Sequence, residues 1–296
     1  MTVANQLSLS FWRILGYTAV ITVWWLYLWY GGNRVMRTRR WQTWWQLGGY
    51  GTLWVLGLLG MRQEKLLDIF SHIADVWNYP PVHSPSTVLY FEMEVAWYIS
   101  SLICLLINRD LKDFWAMLLH HLITPAEVFY SYDCGYAAIG LVIMFLHDTS
   151  DVCLHLAKTF HNERLRRLTD MMFVVFALVF FITRLVLLPM CPYAYFTHPG
   201  DHHSQCGDAL ASMCSLLVGL HVYWFYLIIA MIVRFASVGE VEGDVREAEV
   251  VEKYVQPTEH SQQADTAAAV SDSTRAAGGQ QQVRSRGKKV AAGKSG

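Results

Sequence analysis

Charge is scarce in this 296-residue sequence: Asp, Glu, Lys and Arg together make up 16% of it, against roughly 25% in a soluble domain. Neither sign dominates. The 23 Lys and Arg face 24 Asp and Glu, a formal charge of −1, so no basic excess points to nucleic acid. The six cysteines include no C-x-x-C pair and no zinc-ligand spacing, which excludes the usual sequence patterns of zinc modules. There is no N-x-Ser/Thr sequon, no G-x-S-x-G nucleophile elbow and no internal repeat. What is present is apolar: 54% hydrophobic and 14% aromatic residues, with a mean hydropathy of +0.26. An outer-membrane barrel would need alternating segments of about ten residues, and none occur. The composition predicts an all-α fold, a polytopic helical membrane protein.

A crossing needs about 20 apolar residues. Seven windows come close: Phe11–Tyr30, Trp41–Gly60, Thr87–Ile107, Phe114–Ser131, Ala138–Leu156, Asp170–Met190 and Asp208–Val233. The second is weakened by Gly48, Gly49, Gly51 and Gly57, although glycine permits close packing of membrane helices. Basic residues follow the first, third and fifth windows: Arg34, Arg37, Arg39, Arg40, Arg109, Lys112, Lys158, Arg164, Arg166 and Arg167. The opposite loops hold only Arg62 and Lys65. The positive-inside rule then predicts a lumenal N-terminus and a cytosolic C-terminus. The first window reads as an anchor, not a cleaved signal peptide, because its positive cluster follows it.

The expected organisation is an N-terminal anchor over residues 1–33, a membrane domain over 34–234 and a disordered cytosolic tail over 235–296. In that tail Glu240 to Glu259 holds seven acids and two bases, and Arg275 to Lys294 six bases and no acid. Such a segment buries too little apolar surface to fold alone.

Ionisable side chains at membrane depth are costly and therefore functional candidates. One cluster is His120-His121-Leu122-Ile123-Thr124; the other is His147-Asp148-Thr149-Ser150-Asp151, with His155 one turn further. At helical rise His120 lies about 9 Å inside the cytosolic surface, Asp151 about 8 Å and Asp148 about 12 Å. Two histidines and two carboxylates are thus expected at one depth. His120 shares a face with Thr124, and Asp148 with Asp151. A carboxylate facing a histidine can fix its tautomer and stabilise the imidazolium. The bland alternative is a polar network that merely joins helices. A zinc ion on two His and one or two Asp is the metal alternative, and metal-free acid–base chemistry is preferred. Nearer the other surface, Glu94 and Arg184 sit about 11 and 9 Å deep. They are expected to form a structural tie, with Glu127 as an auxiliary acceptor. In the loop holding His198, His202 and His203, a Cys191–Cys206 disulfide is expected.

The run Asp110-Leu-Lys-Asp-Phe-Trp-Ala-Met-Leu-Leu-His-His-Leu-Ile-Thr124, followed by His147-Asp-Thr-Ser-Asp151 and Ala157-Lys158, resembles the signature of ceramide synthases, members of the TLC-domain group. Glu94 and Tyr98, Gly140, Thr183-Arg184-Leu185 and Trp224-Phe225-Tyr226-Leu227 support it. The sequence departs from the family pattern at Glu127, Gly135, Ala138 and His155. The resemblance spans roughly Arg34 to Arg234. It implies a six-helix bundle enclosing a lipid cavity, in an endoplasmic-reticulum enzyme that moves a fatty acyl group from acyl-CoA to a sphingoid-base amine such as that of sphinganine. Catalysis is then expected from His120, His121, Asp148 and Asp151, with Thr124, His147, Tyr98 and Lys158 in supporting positions. His120 is expected to accept the acyl group and His121 to assist it. No cofactor is expected, acyl-CoA being a co-substrate. Membrane lipids are expected neighbours, nucleic acid is not, and a homodimer is allowed. Two other classes compete: a non-enzymatic TLC-domain protein that binds or moves lipid, and a proton-coupled transporter using the same His/Asp relay.

Overall fold

In the computed structural model the described residues are 9–28, 39–80, 84–107, 113–197 and 204–238. Arg34, Arg37, Arg109, Lys112, the loop histidines His198, His202 and His203, and the tail beyond 238 lie outside them. The described residues form seven long helices and no strand. These are α1 (Phe11–Leu26), α2 (Arg39–Gln63), α3 (Pro85–Ile107), α4 (Phe114–Asp133), α5 (Ala137–Asn162), α6 (Arg166–Thr197) and α7 (Gln205–Val238).

Each helix overlaps one of the seven apolar windows. By length and composition, however, only α3, α5, α6 and residues Gln205–Val233 of α7 could cross a membrane, while α1 is apolar but short. The reason is local. α4 carries His120, His121, Glu127 and Asp133, and α2 carries Arg39, Arg40 and Arg62, so their apolar character is diluted.

Helices α2, α3, α4, α7, α6 and α5 are neighbours in that order and close into a ring, with α5 also touching α4. α1 stands outside the ring against α3. Arg13 donates to Glu92 through Nε at 3.1 Å and Nη2 at 2.8 Å, and Ser100 Oγ donates to the Thr18 carbonyl at 3.2 Å, so α1 and α3 run parallel. α2 and α5 run antiparallel: Trp44 meets Glu163 near one end, and Gly60 meets Leu141 near the other. Of the α2 glycines, Gly48 and Gly51 face open space while Gly49 does not. Any Cβ at Gly49 would collide with the Trp97 ring, so this glycine is what lets α2 lie against α3, a small-residue contact of the membrane type.

Two features differ from the sequence reading, the end of α6 and the disulfide. α6 does not stop near Met190 but continues to Thr197, with a π-helical stretch over Phe181–Leu187. Because the segment around Cys191 is helical, this thiol faces the interior and is fully buried and free. The disulfide is therefore Cys134–Cys206, not Cys191–Cys206. Cys134 caps α4 just before Gly135, whose φ of +80° turns the chain into α5. That turn lies beside the start of α7, where Cys206 sits.

Candidate active site

Histidines from three helices meet inside the ring. On α4, the ring centroids of His120 and His121 are 5.4 Å apart. Tyr98 of α3 lies 5.7 Å from the first and 5.6 Å from the second. From α5, His147 stacks on His120 at 6.3 Å. From α7, His221 is 4.9 Å from His147 and 6.2 Å from His120, and Trp224 meets His120 edge-on at 5.3 Å. All four imidazoles are buried, but not equally. His120 and His121 keep 7% and 6% exposure while His147 and His221 keep none.

Hydrogen bonds settle two ring tautomers. His147 Nδ1 lies 2.7 Å from the Ile143 carbonyl and must donate to it, which leaves its Nε2 with a lone pair and no partner. His221 Nε2 accepts from Arg184 at 2.9 Å, so in the neutral ring the proton is on Nδ1, which has no partner. His120 Nδ1 is 3.3 Å from Thr124 Oγ1, one turn along α4. Pro125 lacks the amide that would bond the His121 carbonyl, which loosens α4 next to the pair.

Arg184 is the hub of the site. It lies in the π-helical stretch of α6, a geometry that recurs at functional sites. Nε donates to Ser150 Oγ at 2.8 Å, Nη1 to His221, and Nη2 to the His147 carbonyl at 2.9 Å and to Asp151 Oδ1 at 2.8 Å. One guanidinium thus ties α5, α6 and α7 together around the histidines.

This corrects the expected Glu94–Arg184 tie. With α6 running on to Thr197, Arg184 is about 20 Å from that end, at the level of His147 and Asp151, and its carboxylate partner is Asp151. Glu127 is buried without a hydrogen-bond partner, and buried Glu94 faces Asp148 and Tyr90. Glu127 is not an auxiliary acceptor for Arg184; it lies toward the thiols of Cys191 and Cys214. The two aspartates also divide their roles. Asp148 accepts from Tyr90 Oη at 2.5 Å and not from a histidine, while Asp151 takes Arg184. His155 stacks on Tyr50 at 4.6 Å, outside the histidine group, and Lys158 is half-buried further along α5.

The sequence reading missed His221 and Tyr90. His221 was legible as an ionisable residue within an apolar helix, one turn before Trp224. Tyr90 was legible as the first member of the stripe Tyr90, Glu94, Tyr98 on α3.

Residues 39–230 match the family described as the TLC domain. The chain belongs to the TLC-domain family. Its histidine pair, Arg184 hub and aspartates all fall inside the matched residues. Among curated proteins it is similar to ceramide synthase 4 of Bos taurus, 32% identical over 207 residues that are 68% of this chain and 52% of that protein. It is 33% identical over 184 residues to ceramide synthase 5 of Homo sapiens, covering 60% of this chain and 46% of that one. Ceramide synthase LOH2 of Arabidopsis thaliana is 31% identical over 171 residues, 54% and 58% of the two chains. The chain spans about half the length of the curated relatives it matches.

Proposed function

We propose that this TLC-domain chain is a ceramide synthase, forming the amide bond between a fatty acyl group from acyl-CoA and the amine of a sphingoid base. The observation that carries the reading is the His120–His121 pair, backed by two fully buried imidazoles and a buried guanidinium. Amide formation from a thioester needs an activated carbonyl and an amine without its extra proton. When Thr124 accepts from His120 Nδ1–H, Nε2 of His120 holds the lone pair that attacks the thioester carbon. The C–N bond forms, the C–S bond breaks, and the leaving thiolate takes up the Nδ1 proton that the acylated ring releases, becoming CoA. The amine then attacks the acyl-imidazole; its N–C bond forms, the imidazole C–N bond breaks, and an amine proton returns to the imidazole. His121 assists these transfers.

His221 Nδ1–H is a buried donor with no partner beside His120. It suits the negative charge that develops on the carbonyl oxygen, a role in which a preorganised donor contributes strongly. Trp224 donates to Asp113 at 3.0 Å and so holds its ring against His120.

The same reading places the chain in the endoplasmic-reticulum membrane with seven crossings, a lumenal N-terminus, and lipid tails between the helices. Acyl-CoA is too polar to enter the bilayer whole, so a site near the cytosolic side suits its thioester. Membranes from cells lacking their own ceramide synthases, supplied with this chain, labelled sphinganine and a panel of acyl-CoAs, are expected to form N-acyl product. No product at any acyl length overturns the reading.

A further inference from the structure

Glu94 lost its expected cation when Arg184 turned out to bond Asp151, and no other cation takes that place. Among the described residues Arg184 is the one buried Lys or Arg, and all three of its guanidinium nitrogens are occupied by Ser150, His221, His147 and Asp151. Glu94 is fully buried on α3, with the Tyr90 hydroxyl among its polar neighbours. It faces the carboxyl of Asp148, whose Oδ2 is held by Tyr90. Two carboxyls therefore face each other in the interior with no cation between them, and when one is protonated its O–H is the donor they share. Such a pair carries at most one negative charge unless a cation enters between the two.

An alkylammonium supplies what is missing: one positive charge and three N–H donors on a single nitrogen. We infer that Glu94 and Asp148 dock the ammonium head of a long-chain amine, which under the function proposed above is the sphingoid base. The position suits the reaction. Glu94 is one helical turn from Tyr98, and Tyr98 touches both His120 and His121. A nitrogen held there stands beside the acyl-accepting ring without displacing it. The ammonium cannot attack while it keeps all its protons. One passes to a carboxylate of the pair, giving a neutral amine and a carboxylic acid; the amine lone pair then forms the amide bond, and its second proton follows the departing imidazole. Glu94 is here a substrate-binding residue that also takes the first proton.

Full-length purified protein tests this in two ways. In thermal-shift measurements sphinganine is expected to stabilise the wild type, and the long-chain 1,3-diol that lacks only the amine is not; equal stabilisation by the diol overturns the inference. In kinetics, Glu94→Gln is expected to raise KM for sphinganine about tenfold or more while KM for acyl-CoA moves by less than about twofold. Glu94→Asp, which keeps the charge, should recover part of the loss. An unchanged sphinganine KM, or equal changes for both substrates, overturns it as well. If Glu94→Gln fails to accumulate, the wild-type comparison of amine and diol decides alone. A wild type that makes no amide would defeat the proposed activity, and the amine-selective shift would still decide whether this site exists.

Discussion

At the turn between α4 and α5 the bundle is closed by a covalent bond and aromatic packing. Cys134 is joined to Cys206, Trp77 lies 4.5 Å from Tyr195 and donates to the Cys191 carbonyl, and Tyr195 donates to Asp208 at 2.7 Å. Midway along the same helices the interior is instead polar and incompletely paired. His121, His147 and His221 each keep a buried nitrogen without a partner, and the carboxyls of Glu94 and Asp148 face each other. Each such nitrogen costs about 1–3 kcal/mol. The difference shows where the molecule is built for stability and where it is built for a ligand. A stapled end can offset the cost of an interior whose polar atoms wait for substrate groups.

The strongest way to break this comparison is to remove the acyl acceptor. His120→Ala and His121→Ala should each lower N-acyltransferase activity by about a hundredfold or more, with protein levels close to wild type on immunoblots. If acyl-CoA alone leaves an acyl mass on wild type, His120→Ala should abolish it; a mass shift that persists would move the nucleophile to another residue.

The Arg184 hub comes next. Arg184→Ala strands Asp151 and frees Ser150, His221 and the His147 carbonyl, so both folding and turnover should suffer. Loss of one partner from a buried ion pair costs about 3–5 kcal/mol, and the yield of detergent-stable protein should fall accordingly. Normal accumulation with only a modest drop in activity would show that the hub is dispensable.

At the stapled end, Cys134→Ser or Cys206→Ser opens a cross-link spanning 72 residues and should cost about 2–4 kcal/mol. The measurement is the thermal midpoint with and without reductant, the wild type alone responding to it. Activity at low temperature should persist, because no site residue lies next to the bond.

Glu127 sharpens the contrast because it is an unpartnered acid on the stapled side. If it has no ligand, Glu127→Gln should leave the thermal midpoint unchanged or raise it by the equivalent of about 1 kcal/mol. A large loss of activity would instead extend the functional region along α4. The smallest effect is expected from chelators. Arg184 already brings a cation against His221 Nε2, and among the described residues no three His, Cys, Asp or Glu side chains are placed to hold a metal ion. Prolonged chelation should leave activity intact; loss with rescue by zinc would revive a metal site.

Much of this was written into the chain. Apolar windows separated by short basic loops specify helices directly, since a span of helix satisfies its own backbone and needs no distant partner. The HHxxT and HDTSD runs were legible because an ionisable residue in an apolar helix stands out against its neighbours, and helical spacing places His120 with Thr124 and Asp148 with Asp151. Partner choice was another matter. A helix that continues seven residues beyond Met190 and includes a π-helical stretch moved Arg184 from Glu94 to Asp151, and turned Cys191 inward so that Cys206 met Cys134. Periodicity along one helix fixes which residues share a face, but not which faces of separate helices meet. That depended on the ring order α2, α3, α4, α7, α6, α5, which brought His221 from the far end of the chain against His147 and left Glu94 facing Asp148. Local sequence determines a helix and its polar face; only packing among helices decides which polar atoms are paired and which stay open for a ligand.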